Sequence, residues 1–169
     1  LIRFVRGQTP ELINMNGRID ILLVDTGVSR STSHVVAKVA NFKNKYSNLA
    51  NSIFDAIGYL VDDVVTILRS TRSDKFQELS LLVSVNNNLL RSLDVSHPRL
   101  EKLFHIAESH GFNSKLTGAG GGGCAFVLLP PNYEQMEKYT KLCDDLKENN
   151  YQVMATHIID GSGVTFKNL

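Results

Sequence analysis

Five glycines in six positions, Gly118-Ala119-Gly120-Gly121-Gly122-Gly123, interrupt a stretch that otherwise reads as strand, from Lys115-Leu116-Thr117 to Cys124-Ala125-Phe126-Val127-Leu128-Leu129. Glycine in a strand interior costs roughly 0.5–1 kcal/mol relative to alanine, so a run of this length needs a compensating reason. A flexible linker would carry polar residues on both sides, whereas this run enters and leaves through apolar ones. The pattern predicts a strand, a glycine turn and a second strand. Something must approach that backbone closely, either an anion held by successive N–H groups or another loop of protein.

Two phosphate motifs are excluded by context. Gly118-x-Gly120-x-x-Gly123 has the spacing of a dinucleotide fingerprint, but that motif puts pyrophosphate on a helix N-terminus. Here the residues after Gly123 are apolar and partly β-branched and end at Pro130-Pro131, which reads as a buried strand. A Walker A loop needs Gly-Lys-Ser/Thr opening a helix, and Lys115 precedes the glycines instead.

Elsewhere the periodicities are simpler. Residues 1–6 and 19–25 are strand-like, separated by a polar turn with Asn14, Asn16 and Gly17. Ser29, Ser31 and Thr32 offer hydroxyl caps to a helix through Val35, Val36 and Val39. A second helix follows through Leu49, Ile53, Ile57, Leu60, Val64 and Leu68, a third over residues 75–92, and a fourth that starts at His97-Pro98 and stops at Gly111. Tyr133–Leu146 reads as an amphipathic helix, and Val153–Ile159 and Val164–Phe166 read as strands. The resulting βαββαβ order predicts an α+β fold, a ferredoxin-like antiparallel sheet with helices on one face and additional helices enlarging that face.

Composition narrows the classes of partner. With 169 residues and 43% hydrophobic content the chain is sized for one domain. A net charge of +1 gives no basic stripe for nucleic acid or a membrane surface, and no apolar stretch reaches the roughly 18 residues of a membrane span. Cys124 and Cys143 form no disulfide framework, and neither they nor the five histidines have the spacing of a metal site. Small-molecule or protein partners and a cytoplasmic setting are the expectation. Asp62-Asp63 and Asp144-Asp145 are neighbours about 100° apart on helices, hence solvated faces rather than carboxylate dyads. The run Asn86-Asn87-Asn88 is unusual for a helix, because asparagine competes for backbone hydrogen bonds, and one of the three is a candidate to reach a cleft.

The string Ser114-Lys115-Leu116-Thr117-Gly118-Ala119-Gly120 and onward to Cys124 resembles the third motif of the GHMP kinases, the family of galactokinases, homoserine kinases, mevalonate kinases and phosphomevalonate kinases, and within it the mevalonate kinases most. Leu22-Leu23-Val24-Asp25-Thr26-Gly27-Val28-Ser29-Arg30-Ser31-Thr32 is similar to the strand and turn that open their C-terminal domain. Val85-Asn86-Asn87-Asn88 and Leu93-Asp94-Val95-Ser96-His97 resemble the helix and turn before the glycine motif.

The resemblance implies that residues 1–169 are a GHMP kinase C-terminal domain, with residues 1–18 the tail end of the N-terminal domain or the connection from it. It implies ATP and Mg²⁺ as cofactors, bound mainly by that N-terminal domain, and mevalonate as the acceptor whose hydroxyl takes the γ-phosphoryl group in isoprenoid and sterol precursor synthesis. The ATP loop, the Mg²⁺-binding Ser/Glu pair and the catalytic Asp of the family have no counterpart here, so no catalytic residue is expected in this chain and the isolated chain is expected to be inactive. A homodimer is implied for the intact enzyme. Thr32, Ser31, Arg30 and Ala119 are the implied substrate-side residues, and Lys115, Gly118, Gly120, Gly121, Gly122 and Gly123 lie next to the ATP loop, with the amides of Ala119–Gly123 free to pack against it. Ser31 and Thr32 read equally as helix caps, and Lys115 as a solvated strand lysine. The alternatives are another GHMP kinase, such as a phosphomevalonate kinase, or a non-catalytic ferredoxin-like binding or dimerisation module.

Overall fold

The computed structural model describes residues 1–5, 7–29, 31–72 and 74–159. A small hairpin, β1 (Ile2–Arg3) and β2 (Glu11–Leu12), precedes an antiparallel sheet of β3 (Arg18–Asp25), β4 (Ser114–Leu116), β5 (Cys124–Leu129) and β6 (Gln152–Ile159). The spatial order is β4-β5-β3-β6. Helices α1 (Thr32–Lys45), α2 (Ser47–Arg69), α3 (Lys75–Ser92) and α4 (Pro98–Ser109) lie between β3 and β4, and α5 (Glu137–Glu148) lies between β5 and β6. This is the ferredoxin-like order expected from βαββαβ, with the added helices where the periodicity put them. The expected strand at Val164–Phe166 lies outside the described residues.

β3 is the central strand, paired with β6 from Arg18↔Ile159 to Asp25↔Gln152 and with β5 from Asp20↔Leu129 to Asp25↔Cys124. Its Leu22 and Val24 join Ala125, Val127 and Leu129 of β5 in a core closed by Leu100, Leu103 and Phe104 of α4 and Leu142 and Leu146 of α5. The alternate residues, Ile21 with Leu128, build a second core with Ile67 and Leu68 of α2, Leu79 of α3, and Ile13 and Met15. Helices therefore cover both faces of the sheet, which corrects the expectation of one covered face. The physical reason is visible in β3 itself: Ile21-Leu22-Leu23-Val24 is a continuous apolar run, the signature of a strand buried on both sides. The expected strand over residues 1–6 shrinks to Ile2–Arg3, and with Ile2 and Phe4 exposed it gains little from burial.

Local chemistry sets the helix starts. Ser31 caps α1, its hydroxyl accepting from the His34 amide, and the His97 ring accepts from the Arg99 amide with Pro98 at the first helical position. On the β4 edge the Leu116 N–H points away from β5. It donates to the buried Asn87 side chain of α3 at 3.3 Å, so one asparagine of the unusual run substitutes for a missing strand.

The glycine run between β4 and β5 turns back on the chain with φ positive at Gly118, Gly120, Gly121, Gly122 and Gly123. A Cβ on Gly120 would lie 2.1 Å from the Val95 carbonyl oxygen, one on Gly121 2.8 Å from Val35 of α1, and one on Gly122 2.9 Å from Val28. Another loop of the same chain is thus what approaches this backbone.

Three stability outcomes follow, all measurable by denaturant titration. Gly120→Ala adds a left-handed residue's strain, about 1–2 kcal/mol, to a backbone clash and lowers stability by more than about 2 kcal/mol. Gly58→Ala, with nothing within 4 Å of the new methyl inside α2, instead raises it by about 0.5–1 kcal/mol. Asn87→Leu keeps the number of side-chain heavy atoms but strands the buried Leu116 N–H, for a loss of about 1–3 kcal/mol.

Candidate functional site

Three segments meet where β3 ends and β5 begins: the β3–α1 turn from Thr26, the α3–α4 turn around Val95, and the glycine loop. The Gly121 amide donates to the Val95 carbonyl at 2.8 Å, and the Gly123 amide to the Val28 carbonyl at 3.0 Å. The Gly123 carbonyl accepts twice from Thr26, from its amide at 3.1 Å and its hydroxyl at 2.7 Å. The Thr26 hydroxyl in turn accepts from the Val28 amide at 3.2 Å. Two of the amides between Ala119 and Gly123 are consequently engaged inside the domain, which corrects the expectation that the whole set faces outward. The loop is a docking surface first.

α1 begins against this loop, because Val35 in its first turn is the side chain that excludes a Cβ from Gly121. Ser31, Thr32, Ser33 and His34 are exposed at the helix start, with the Ser31 and Ser33 hydroxyls 3.1 Å apart. No acidic residue lies in this first turn. A helix N-terminus with hydroxyls and no nearby carboxylate in that turn favours a negatively charged ligand. Ser31 therefore both caps the helix and belongs to this exposed cluster, while Thr32 is the first helical residue rather than the cap. Ala119 is half-buried against the first core, and Gly118 is exposed. Arg30 lies outside the described residues.

Lys115 goes elsewhere. Its side chain lies on the second face of the sheet, over the Phe126 ring at 5.5 Å, and its ammonium donates to the Leu116 carbonyl at 3.0 Å. With Asn86 it lines an apolar groove of about 400 Å³ between the sheet and α2–α3. Burial pushes the Lys115 amine below the ordinary lysine value, since the charged form loses hydration there. It is half-buried, on the face of the sheet opposite the core that holds Val35 of α1.

Around the loop, a polar frame ties distant elements together. Lys38 of α1 pairs with Asp94 at 2.6 Å. Arg99 donates to the Asn149 and Asn150 carbonyls at 3.0 Å each and to the Thr26 carbonyl at 3.4 Å, and its guanidinium stacks on Tyr151 at 4.0 Å. Among the described residues no three His, Cys, Asp or Glu side chains gather as a metal site, and no helix is long and apolar enough to cross a membrane. Sequence reasoning took Thr26 only as a turn residue and passed over Val28 and Val95. The signal available was a lone hydroxyl ending an apolar strand; carbonyl contacts such as that of Val95 leave no mark in the sequence.

Residues 67–148 match the family model described as GHMP kinases C terminal. The chain is 40% identical over 153 residues to a mevalonate kinase of Gibberella zeae, a match covering 86% of this chain and 30% of that protein. It overlays on the L. major mevalonate kinase in complex with R-mevalonate with a TM-score of 0.81 at 23% identity, covering 96% of this chain and 49% of that one. It overlays on the Streptococcus pneumoniae phosphomevalonate kinase in complex with phosphomevalonate and AMPPNP with a TM-score of 0.68 at 22% identity, covering 89% and 43% respectively. The chain thus spans less than half the length of each of these relatives. From the matched C-terminal model, the similarity to mevalonate kinases along most of its length and the shared sheet, the chain belongs to the GHMP kinase family, whose C-terminal domain it carries.

Proposed function

We propose that this domain forms the acceptor side of a mevalonate kinase, an enzyme that transfers the γ-phosphoryl group of ATP to the hydroxyl of mevalonate on the route to isoprenoids and sterols. The observation that carries this is the clasp between the glycine loop and the turn leading to Ser31 and Thr32, in a chain 40% identical to a mevalonate kinase. Phosphoryl transfer depends on positioning and charge neutralisation more than on covalent participation, and a rigid loop beside a hydroxyl-bearing helix start provides the first. Bound ATP supplies the transferred group. On this side, Ser31 and Thr32, with Arg30, hold the acceptor, its carboxylate toward the positive end of α1. Gly118 and Ala119 present a thin surface to the part of the enzyme that holds the nucleotide, and the apolar packing of Val28 and Val35 keeps water from the loop's inner side.

The general base and the ligands of Mg²⁺ belong outside residues 1–169 in this proposal, as the resemblance to the GHMP kinases implies. Residues 1–18 are the connection from the nucleotide-binding part, a role supported by the separate β1–β2 hairpin. The intact enzyme is a cytoplasmic homodimer, and the exposed Val36, Tyr46, Leu49 and Tyr59 along α1 and α2 are suited to its interface.

The test is ATP-dependent phosphorylation of mevalonate, phosphomevalonate, homoserine and galactose by the full-length protein and by this chain alone. Turnover of mevalonate by the full-length protein and none by the 169-residue chain is expected. Turnover of another acceptor would replace mevalonate within the family, and turnover of none would favour a non-catalytic binding module. In the full-length protein, Ala119→Thr places a branched side chain on the presented surface. It is expected to raise the KM for mevalonate about tenfold or more while the thermal midpoint stays within a few degrees.

A further inference from the structure

Thr26 has a feature that a turn residue does not need. It is 3% exposed, yet its hydroxyl has partners in both directions: it donates to the Gly123 carbonyl and accepts from the Val28 amide. The first partner is 97 positions away in sequence, the second only two. One oxygen therefore joins the turn that leads to Ser31 and Thr32 to the loop that leads to Gly118 and Ala119. With its proton directed to one group and a lone pair to the other, the hydroxyl has a single orientation, and the two bonds polarise each other.

We propose that the Thr26 hydroxyl is a positioning group shared by both loops, which fixes the acceptor-binding turn against the glycine loop so that acceptor and phosphoryl donor meet at one separation. This rests on the phosphoryl-transfer function proposed above. The hydroxyl is buried and lies among backbone groups, so it acts through the loops and touches no reacting atom. Val28 is the transmitting contact. It packs where a Cβ on Gly122 would come within 2.9 Å, so the glycine loop has no room to hold its place if Val28 moves. Displacements of about 1 Å suffice to slow such reactions by up to about a hundredfold.

The loss of the hydroxyl alone leaves a frame intact. In Thr26→Val the amide bond from residue 26 to the Gly123 carbonyl and the bond from the Gly123 amide to the Val28 carbonyl both remain. What disappears is the acceptor for the Val28 amide and the second bond into Gly123. The effect is therefore concentrated on how the two loops sit relative to each other rather than on the fold.

The experiment compares wild type, Thr26→Val, Thr26→Ala and Thr26→Ser in the full-length protein by steady-state kinetics, thermal melting and hydrogen exchange. Thr26→Val is expected to lower kcat about tenfold or more and to raise the KM for mevalonate, with Thr26→Ala behaving alike and Thr26→Ser within about threefold of wild type. Thermal midpoints should fall by only a few degrees in Thr26→Val and Thr26→Ala, too little to account for the kinetic loss at the assay temperature. In Thr26→Val, exchange should accelerate together in residues 26–33 and 117–124 and nowhere else. The proposal is overturned by a folded Thr26→Val enzyme with wild-type kinetics, by Thr26→Ser failing as badly as Thr26→Val, or by faster exchange in only one of the two segments. Should the wild-type protein phosphorylate none of the acceptors, the kinase function falls, and the exchange result alone still decides whether the hydroxyl couples the loops.

Discussion

The joining of the β3–α1 turn, the α3–α4 turn and the β4–β5 connection depends on backbone meeting backbone at the glycine loop. A Cβ at Gly120 would sit 2.1 Å from the Val95 carbonyl oxygen, so the bond from Gly121 to that same carbonyl exists only because the loop has no side chains there. Each such bond contributes a net of about 0.5–1.5 kcal/mol, a modest sum. Their larger consequence is geometric. They bring residues 26–28, 95 and 120–123 to one point, and the segments carrying those residues are the β3–α1 turn, the α3–α4 turn and the β4–β5 connection. Arg99 extends the same frame to the α5–β6 turn through the carbonyls of Thr26, Asn149 and Asn150, with Tyr151 stacked beneath it and returning a hydrogen bond to the Arg99 carbonyl.

Two cations show how environment assigns opposite roles to similar side chains. Arg91 at the end of α3 holds Glu101 of α4 through two nitrogens, and Glu101 consequently lies below the ordinary carboxylate range. That pair is partly exposed, so its net contribution is on the order of 1 kcal/mol or less; it is present above the ordinary glutamate value and fades as pH falls through the depressed one. Lys115 has no carboxylate partner among the contacts described and a lowered amine instead. Its charged form is disfavoured by folding, and the domain gains stability as pH rises through the lowered value. A lysine placed this way serves the second core through its methylenes more than it serves a phosphate.

Much of the fold was legible because it is written in periodicity. The stripes of α2 and α4, the His97-Pro98 start, the Ser31 cap and the strand after the glycines all emerge from spacing and cap chemistry. The second covered face of the sheet was legible too, in Ile21-Leu22-Leu23-Val24, because a strand with one wet face would alternate with polar residues there. What spacing does not encode is a contact between a side chain and a remote backbone group. Asn87 bonding the Leu116 amide, Thr26 bonding the Gly123 carbonyl and Val95 accepting from Gly121 are of this kind. For the same reason the direction of Lys115 was ambiguous: its position in β4 is evident, while its face depends on the register with β5, where it sits opposite Phe126.

The glycine run can now be divided by physical necessity. Gly120, Gly121 and Gly122 are required by the chain's own Val95, Val35 and Val28, whatever ligand is present, since any larger residue meets those atoms at 2.9 Å or less. Ala119 already carries a methyl group and Gly118 faces solvent, so at these two positions packing alone does not exhaust the reason for a small residue. The motif thus divides in two: its inner half closes the domain, and its outer half is the part left for the second surface proposed above. Substitutions in the inner half should be felt as unfolding. In the outer half the same substitutions leave the docking contacts whole, so that beyond the left-handed strain at Gly118 and the packing of Ala119 their effect falls on whatever that surface meets.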